Sequence, residues 1–229
     1  MTFLTFPKHN TKILFFDLEY YVPKGDRERN IKSGLSFSPV LSEHKLLGGC
    51  FQFYYPIKNV AEHKIHHVWE WRESSEEQVV KLIYKKFQKL WKGHKPGMAS
   101  PMVCGIGISH SDIPVLFSKM IQYKVDSPEN IFDLLYGTRQ IDLSSIVACQ
   151  FSSKHNYLFY PKTKSELYRK YYPQAQKYME KGTSVWGMYE NRNFEAIENR
   201  TKLEIIDTLK IYKKIFETRK RIENQLKQK

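Results

Sequence analysis

Residues 13 to 22 read ILFFDLEYYV, an apolar and aromatic run interrupted only by Asp17 and Glu19. The richness in β-branched and aromatic side chains over 11 to 21 predicts a buried strand. Side chains two apart in a strand share a face, so both carboxylates project the same way. Charge buried without a partner costs several kcal/mol. Such a pair is satisfied either by solvent on an exposed sheet edge or by cations that use two oxygens on one face. Any fold of this chain has to provide one or the other.

The rest of the chain supplies the setting. LLGGCFQFYYPI (46 to 57) and IHHVWEWR (65 to 72) predict two more strands, and the polar PKGDRERNIKSGLSFSP before them is a candidate substrate-facing loop. SSEEQVVKLIYKKFQKLW opens with Ser74 or Ser75 as N-cap and repeats Val80, Ile83, Phe87 and Leu90 at helical spacing, about five turns in all. PMVCGIGI (101 to 108) predicts a fourth strand, and residues 111 to 122 a helix capped by Ser111 with Pro114 in its first turn. RQIDLSSIVACQF fits either a last strand or a short helix. From 163 onward the chain reads helical, interrupted at Pro173 and Gly182, and ends in a basic helix over about 195 to 229. The expectation is an α/β fold on residues 1 to 229 as one domain, with a mixed sheet, its first three strands antiparallel, flanked by helices.

Composition narrows the partners. A net charge of +13 points toward a polyanion such as nucleic acid, and aromatics at 14% suit base stacking as well as a core. Cys50, Cys104 and Cys149 are scattered through apolar contexts with no C-x-x-C pair, which argues against a zinc or redox site. No run of about 18 apolar residues occurs, and MTFLTFPKHN is too short before Pro7 for a signal peptide. A soluble, cytoplasmic protein without a membrane partner is expected.

Two further carboxylates stand out. Asp112 follows the glycine-rich GIG and opens a helix, a place that the helix dipole alone would favour. In the last helix Ile205, Leu209, Tyr212 and Phe216 mark an apolar side that Ile211 and Ile215 extend. Glu204 falls at its border and needs a partner, whereas Asp207 falls toward Lys210 and Lys214 on the solvent side. Arg200, one turn before Glu204, offers it a partly buried i, i+4 ion pair. Four carboxylates with no Cys or His cluster suit Mg2+ or Mn2+ better than zinc.

In order, FFDLEYY, VCGIGISHSDIPVLF, QIDLSSI with Asp142, and SVWGMYENRNFEAIENRTKLEIIDTLKIY resemble the motifs of the DEDD superfamily of 3'-5' exonucleases, RNase H-like in fold, in the proofreading branch of family B polymerases. The resemblance spans residues 11 to 216. It implies Asp17, Glu19, Asp112 and Glu204 as ligands of two Mg2+ or Mn2+ ions, with Asp207 as the fallback for Glu204 if the register slips by three. It departs from the family in placing Glu at the fourth ligand and Arg200 where a water-orienting Tyr is usual, which leaves Arg200 to contact the scissile phosphate. The implied activity is stepwise hydrolysis of nucleic acid from the 3' end, with single-stranded DNA ahead of RNA. Candidate nucleic-acid contacts are Tyr20, Tyr21 and His110, with Lys24, Arg27, Arg29 and Lys32 in the following loop. Two alternatives stay open: a nucleic-acid-binding protein that has lost catalysis, and a structure-selective endonuclease. The basic C-terminal tail is an exposed helix end, an arm or a homo-oligomer contact.

Overall fold

In the computed structural model, which describes residues 12–28, 37–56, 58–94, 101–150, 161–174 and 182–227, strand β1 (Ile13–Tyr21) lies in the middle of the sheet. It pairs antiparallel with β2 (Lys45–Tyr55) and parallel with β5 (Met102–Gly105). Ile13 and Phe15 enter the core on one side, and Leu14, Phe16 and Leu18 enter the core on the other. Burial on both faces is why β1 reads as an almost unbroken apolar run. β2 also pairs antiparallel with the two-residue β3 (Val60–Ala61) and with β4 (His66–Trp69), and β6 (Arg139–Asp142) runs parallel to β5. The result is a six-stranded mixed sheet ordered β3-β2-β1-β5-β6, with β4 on β2, antiparallel in its early strands as the sequence predicts and RNase H-like in arrangement.

Helices cover both faces. On one side lie α1 (Glu76–Trp91), α2 (Asp112–Gln122) and α3 (Pro128–Tyr136). Val80, Ile83, Phe87 and Leu90 of α1 pack into the cluster holding Leu14, Phe16, Phe51 and Phe53, as their spacing predicts. On the other side lie α5 (Lys164–Tyr171), α6 (Ser184–Glu190) and the long α7 (Phe194–Lys227), preceded by the single-turn α4 (Leu143–Ile146). Ile197, Ile205, Leu209, Ile211, Tyr212 and Ile215 of α7 join Phe15, Cys50 and Tyr54. The Tyr212 ring meets Phe15 edge-on at 5.3 Å and Tyr54 at 5.8 Å, which fixes the rotation of α7 about its axis.

Several local expectations are corrected. β4 is confined to four residues because the chain turns at once, the amides of Arg72 and Glu73 both donating to the Trp69 carbonyl. β5 ends at Gly105, ahead of a turn in which Gly107 adopts a φ of +80°. Segment 139 to 151 holds both alternatives, β6 followed by α4. α3 was not anticipated; Ser127 caps it by accepting from the Asn130 amide, and Pro128 begins it. Ser75 caps α1 as expected. Ser111 stands at the N-cap of α2, but its hydroxyl donates to the Gly107 carbonyl at 2.9 Å and to Asp112 at 2.6 Å and accepts nothing from the helix.

The register of β1 against β2 slips between Glu19 and Tyr20, so that Glu19 faces Gly48 while Tyr20 faces Leu46. This bulge lies beside the acidic residues of β1. Gly48 has a φ of +128°, and a β-carbon there would sit 2.0 Å from the Val68 carbonyl oxygen. Gly48→Ala is therefore expected to cost at least about 2 kcal/mol. Gly25→Ala, at a position with nothing within 4 Å, should stay within about 0.5 kcal/mol of wild type. Urea unfolding of the two variants checks the contrast, and equal stabilities would contradict it.

Candidate functional site

Asp17 and Glu19 leave β1 on the face that α7 covers, and Glu204 reaches them from that helix. Ligand oxygens of all three lie within 4.8 Å of one another. Glu19 and Glu204 are each 7% exposed. Two cations meet them there. The Lys164 ammonium lies 3.2 Å from Asp17 Oδ2 and 2.7 Å from Glu204 Oε2. The Arg200 guanidinium lies 2.9 Å from Glu204 Oε1 and also donates to Glu19. Thr201 Oγ1 donates to Glu19 at 3.0 Å. The predicted Arg200–Glu204 pair therefore exists, within a larger network.

Lys164 was missed by sequence reading. A capping box sets its place: Thr163 accepts from the Glu166 amide at 3.2 Å, and Glu166 accepts from the Thr163 amide at 2.8 Å. That T-x-x-E spacing marks where α5 starts, with Lys164 as its first residue, but carries no sign of what the lysine faces.

Asp112 stands across the same cleft, outside the three-carboxylate group. Its oxygens accept from Tyr20 at 3.0 Å and Ser111 at 2.6 Å. Asp142 accepts from the Gly107 and Ser109 amides at 2.9 and 3.0 Å, and so clamps the turn that delivers Asp112. The cleft has a volume of about 310 Å³ and is lined by Asp17, Glu19, Asp112 and Glu204, with Tyr20, Phe37 and Trp186 among its aromatic lining. Phe37 lies in the loop expected to face substrate and Trp186 in the segment that resembles the last motif, but nothing in either segment marks these two residues out.

The remaining candidates are distributed as follows. Asp207 pairs with Lys210 at 3.0 Å and does not line the cleft, in keeping with its solvent-side place on the wheel. His110 is exposed beside Asp142 at 3.4 Å. Tyr21 donates to Glu190 at 3.2 Å and packs on Tyr189. Arg27 pairs with Glu190 at 2.6 Å and lies over the Trp186 ring at 5.0 Å, while the exposed Lys24 comes within 3.7 Å of Glu190. Arg29 and Lys32 lie outside the described residues.

The electrostatics follow from burial and this pairing. Burial pushes the Asp17 acid well above the usual carboxylate range against the pull of Lys164, and the neighbouring Glu204 adds to the rise. Burial alone would raise Glu204 too, but Lys164 first, then the hydrogen bond with Asp17 and the charge of Arg200, hold it down to about 2. Burial raises Glu19 to about 7 although Arg200 opposes it. Asp112 is raised by burial, with Ser111 and Tyr20 opposing. Burial disfavours a charged Lys164, yet Asp17 and Glu204 reverse this and keep it an ammonium. Hard oxygen donors gathered around a cation, with protons for a stronger cation to displace, fit a divalent metal ion.

No protein-family model matches the sequence, and no curated protein matches it. Among solved structures the chain is similar, at a TM-score of 0.54 and 12% identity, to the family B DNA polymerase from the hyperthermophilic archaeon Pyrobaculum calidifontis. The likeness covers 91% of this chain and 24% of the polymerase. At that identity it establishes a shared fold. Among the described residues no helix is long and apolar enough to cross a membrane.

The raised Glu19 acid gives a stability test. Its value is 4.5 when unperturbed and about 7 in the fold, so between those pH values the folded chain holds a proton that the unfolded chain has released. Stability contributed by Glu19 is complete below the lower value and is lost as pH rises through the upper one. Asp17 acts in the same direction, and the lowered Glu204 acts oppositely but only in acid. Without metal, the wild type is expected to lose about 2 kcal/mol more than Glu19→Gln between pH 5 and 7.5. Urea titrations in EDTA measure it, and parallel pH profiles would contradict the assignment.

Proposed function

We propose that the chain is a divalent-metal-dependent 3'-5' exonuclease, with single-stranded DNA ahead of RNA as substrate. The observation that carries this reading is the convergence of Asp17 and Glu19 from the central strand with Glu204 from α7. Three other features support it: the aromatic lining beside the carboxylates, the ordered DEDD-like motifs, and a fold shared with part of a DNA polymerase. Carboxylates and aromatics side by side match the two halves of a nucleotide, a phosphate that needs cations and a base that stacks.

In this reading Asp17, Glu19 and Glu204, with Asp112 across the cleft, hold two Mg2+ or Mn2+ ions. When bound, such ions supply a nucleophile from water at neutral pH and neutralise charge on the reacting phosphate. The reaction adds a water oxygen to phosphorus, breaks the bond to the 3'-oxygen and returns a proton to that leaving oxygen. Arg200 cannot take a proton, because a guanidinium stays charged at any working pH. Its place in the mechanism is to contact the phosphate. Glu19, a metal ligand in this reading, is ionised and helps orient the attacking water, whose protons end on the leaving 3'-oxygen and in solvent. Lys164 keeps positive charge beside Asp17 and Glu204 and meets the phosphate as it enters. Tyr20, Phe37 and Trp186 receive the terminal bases by stacking.

One observation favours a second reading, a nucleic-acid-binding protein without hydrolysis. Lys164 and Arg200 already satisfy the carboxylates, so the cluster is stable without metal. A gel assay on a 5'-labelled single-stranded oligonucleotide with Mg2+, Mn2+ or EDTA separates the two. The expected result is a metal-dependent ladder shortening from the 3' end, weakened at least about 100-fold in Asp17→Asn and Glu204→Gln. Binding with no ladder in either metal, unchanged in both variants, would leave only the binding protein. Internal cuts on junctions or duplexes would indicate the endonuclease.

A further inference from the structure

The described cleft carries more negative than positive side chains: Asp17, Glu19, Asp112 and Glu204 against Lys164 and Arg200. The chain as a whole is at +13, so its attraction for a polyanion must come from surfaces elsewhere. One of these is crowded. Lys12, just ahead of β1, donates its ammonium to the carbonyl of Lys89 in α1 at 2.8 Å. The ammonium groups of Lys12 and Lys89 lie 5.8 and 5.2 Å from the centre of one buried ring, Phe53. Lys86 of α1 and Lys64, on the turn before β4, act on the same neighbourhood. Burial and then Lys89 press the Lys12 ammonium below its usual range, and burial, Lys89 and Lys64 do so for Lys86. The nearby carboxylate, Glu62, is engaged by His66 at 3.2 Å and by the Tyr55 hydroxyl at 3.3 Å. Among the described residues none of the four lysines closes an ion pair.

Four like charges with one nearby carboxylate, Glu62, among them still repel, and a regular array of phosphates relieves that repulsion by exchanging condensed counterions for lysines. We infer that Lys12, Lys64, Lys86 and Lys89 form a second nucleic-acid contact surface, which grips the phosphate backbone away from the cleft. The proposed function enters only in naming nucleic acid, rather than an acidic protein or an anionic membrane, as the polyanion. Lys12 and Glu19 are seven residues apart along an extended chain, about 23 Å at 3.3 Å per residue. A strand must reach at least about that far to touch both places. The surface therefore supplies affinity for long substrates and takes no part in the chemistry.

The test is fluorescence anisotropy of a labelled 30-nucleotide single-stranded DNA in EDTA across a NaCl series, comparing wild type with Lys64→Gln/Lys86→Gln/Lys89→Gln. The variant is expected to bind at least tenfold more weakly at low salt. Its plot of log affinity against log salt should be shallower by about two, since each lost phosphate contact removes roughly 0.7 from the slope. Asp17→Asn should keep the wild-type slope, so loss of hydrolysis and loss of this surface are read separately. Coincident salt plots for wild type and triple variant, or a wild type that binds no DNA, would overturn the inference. So would vesicles with phosphatidylserine, or polyglutamate, losing affinity in the variant while the DNA plots stay the same.

Discussion

Two carboxylates buried on one face of the central strand set the terms for everything around them. Asp17 and Glu19 are too deep for water to solvate fully, so the helices over that face have to bring positive charge. α7 does so with Arg200, beside which Thr201 adds a neutral hydroxyl donor to Glu19, and α5 does so with Lys164. For these groups to arrive in register, α7 must be locked in rotation, which its packing through Ile205, Tyr212 and Ile215 against β1 and β2 accomplishes. Glu204 joins the site because it is one turn from Arg200 and shares its face. The apolar core and the charged cluster thus depend on the same helix orientation.

The cluster is balanced between two ways of being satisfied. Its own lysine and arginine close it, while burial leaves the Asp17 and Glu19 acids raised. A divalent cation offers the same carboxylates more charge per site and favours their ionised forms. Internal closure keeps the carboxylates in place before any ion arrives. The Arg200 guanidinium has a structural duty to Glu19 and Glu204 in addition to any contact with substrate.

Much of this was readable from residue order. The period-two run of β1 places Asp17 and Glu19 together, and the helical wheel of α7 separates Glu204 from Asp207. The i, i+4 spacing of Arg200 and Glu204 anticipated their ion pair. Other features depend on the tertiary path. Lys164 begins a helix whose capping box is local, but its target lies on other elements. β3 has two residues, too few for a period to show, and α3 is short and half-exposed. The hydroxyl of Ser111 faces the Gly107 carbonyl and the Asp112 carboxylate and caps no backbone amide of α2, because the turn before the helix brings Gly107 within reach. Gly48 needed its positive φ because β4 passes within contact of its backbone, which no property of the glycine itself announces.

The most direct test of the central claim, that this carboxylate cluster is a metal site held closed by its own cations, is crystallographic. Crystals soaked in Mn2+ would be measured near the manganese absorption edge to locate the ion by anomalous scattering. The account predicts a peak bounded by the carboxylates of Asp17, Glu19 and Glu204, with the Lys164 ammonium moved off Asp17. A map without a peak at that position, and with Lys164 still bridging Asp17 and Glu204, would contradict it.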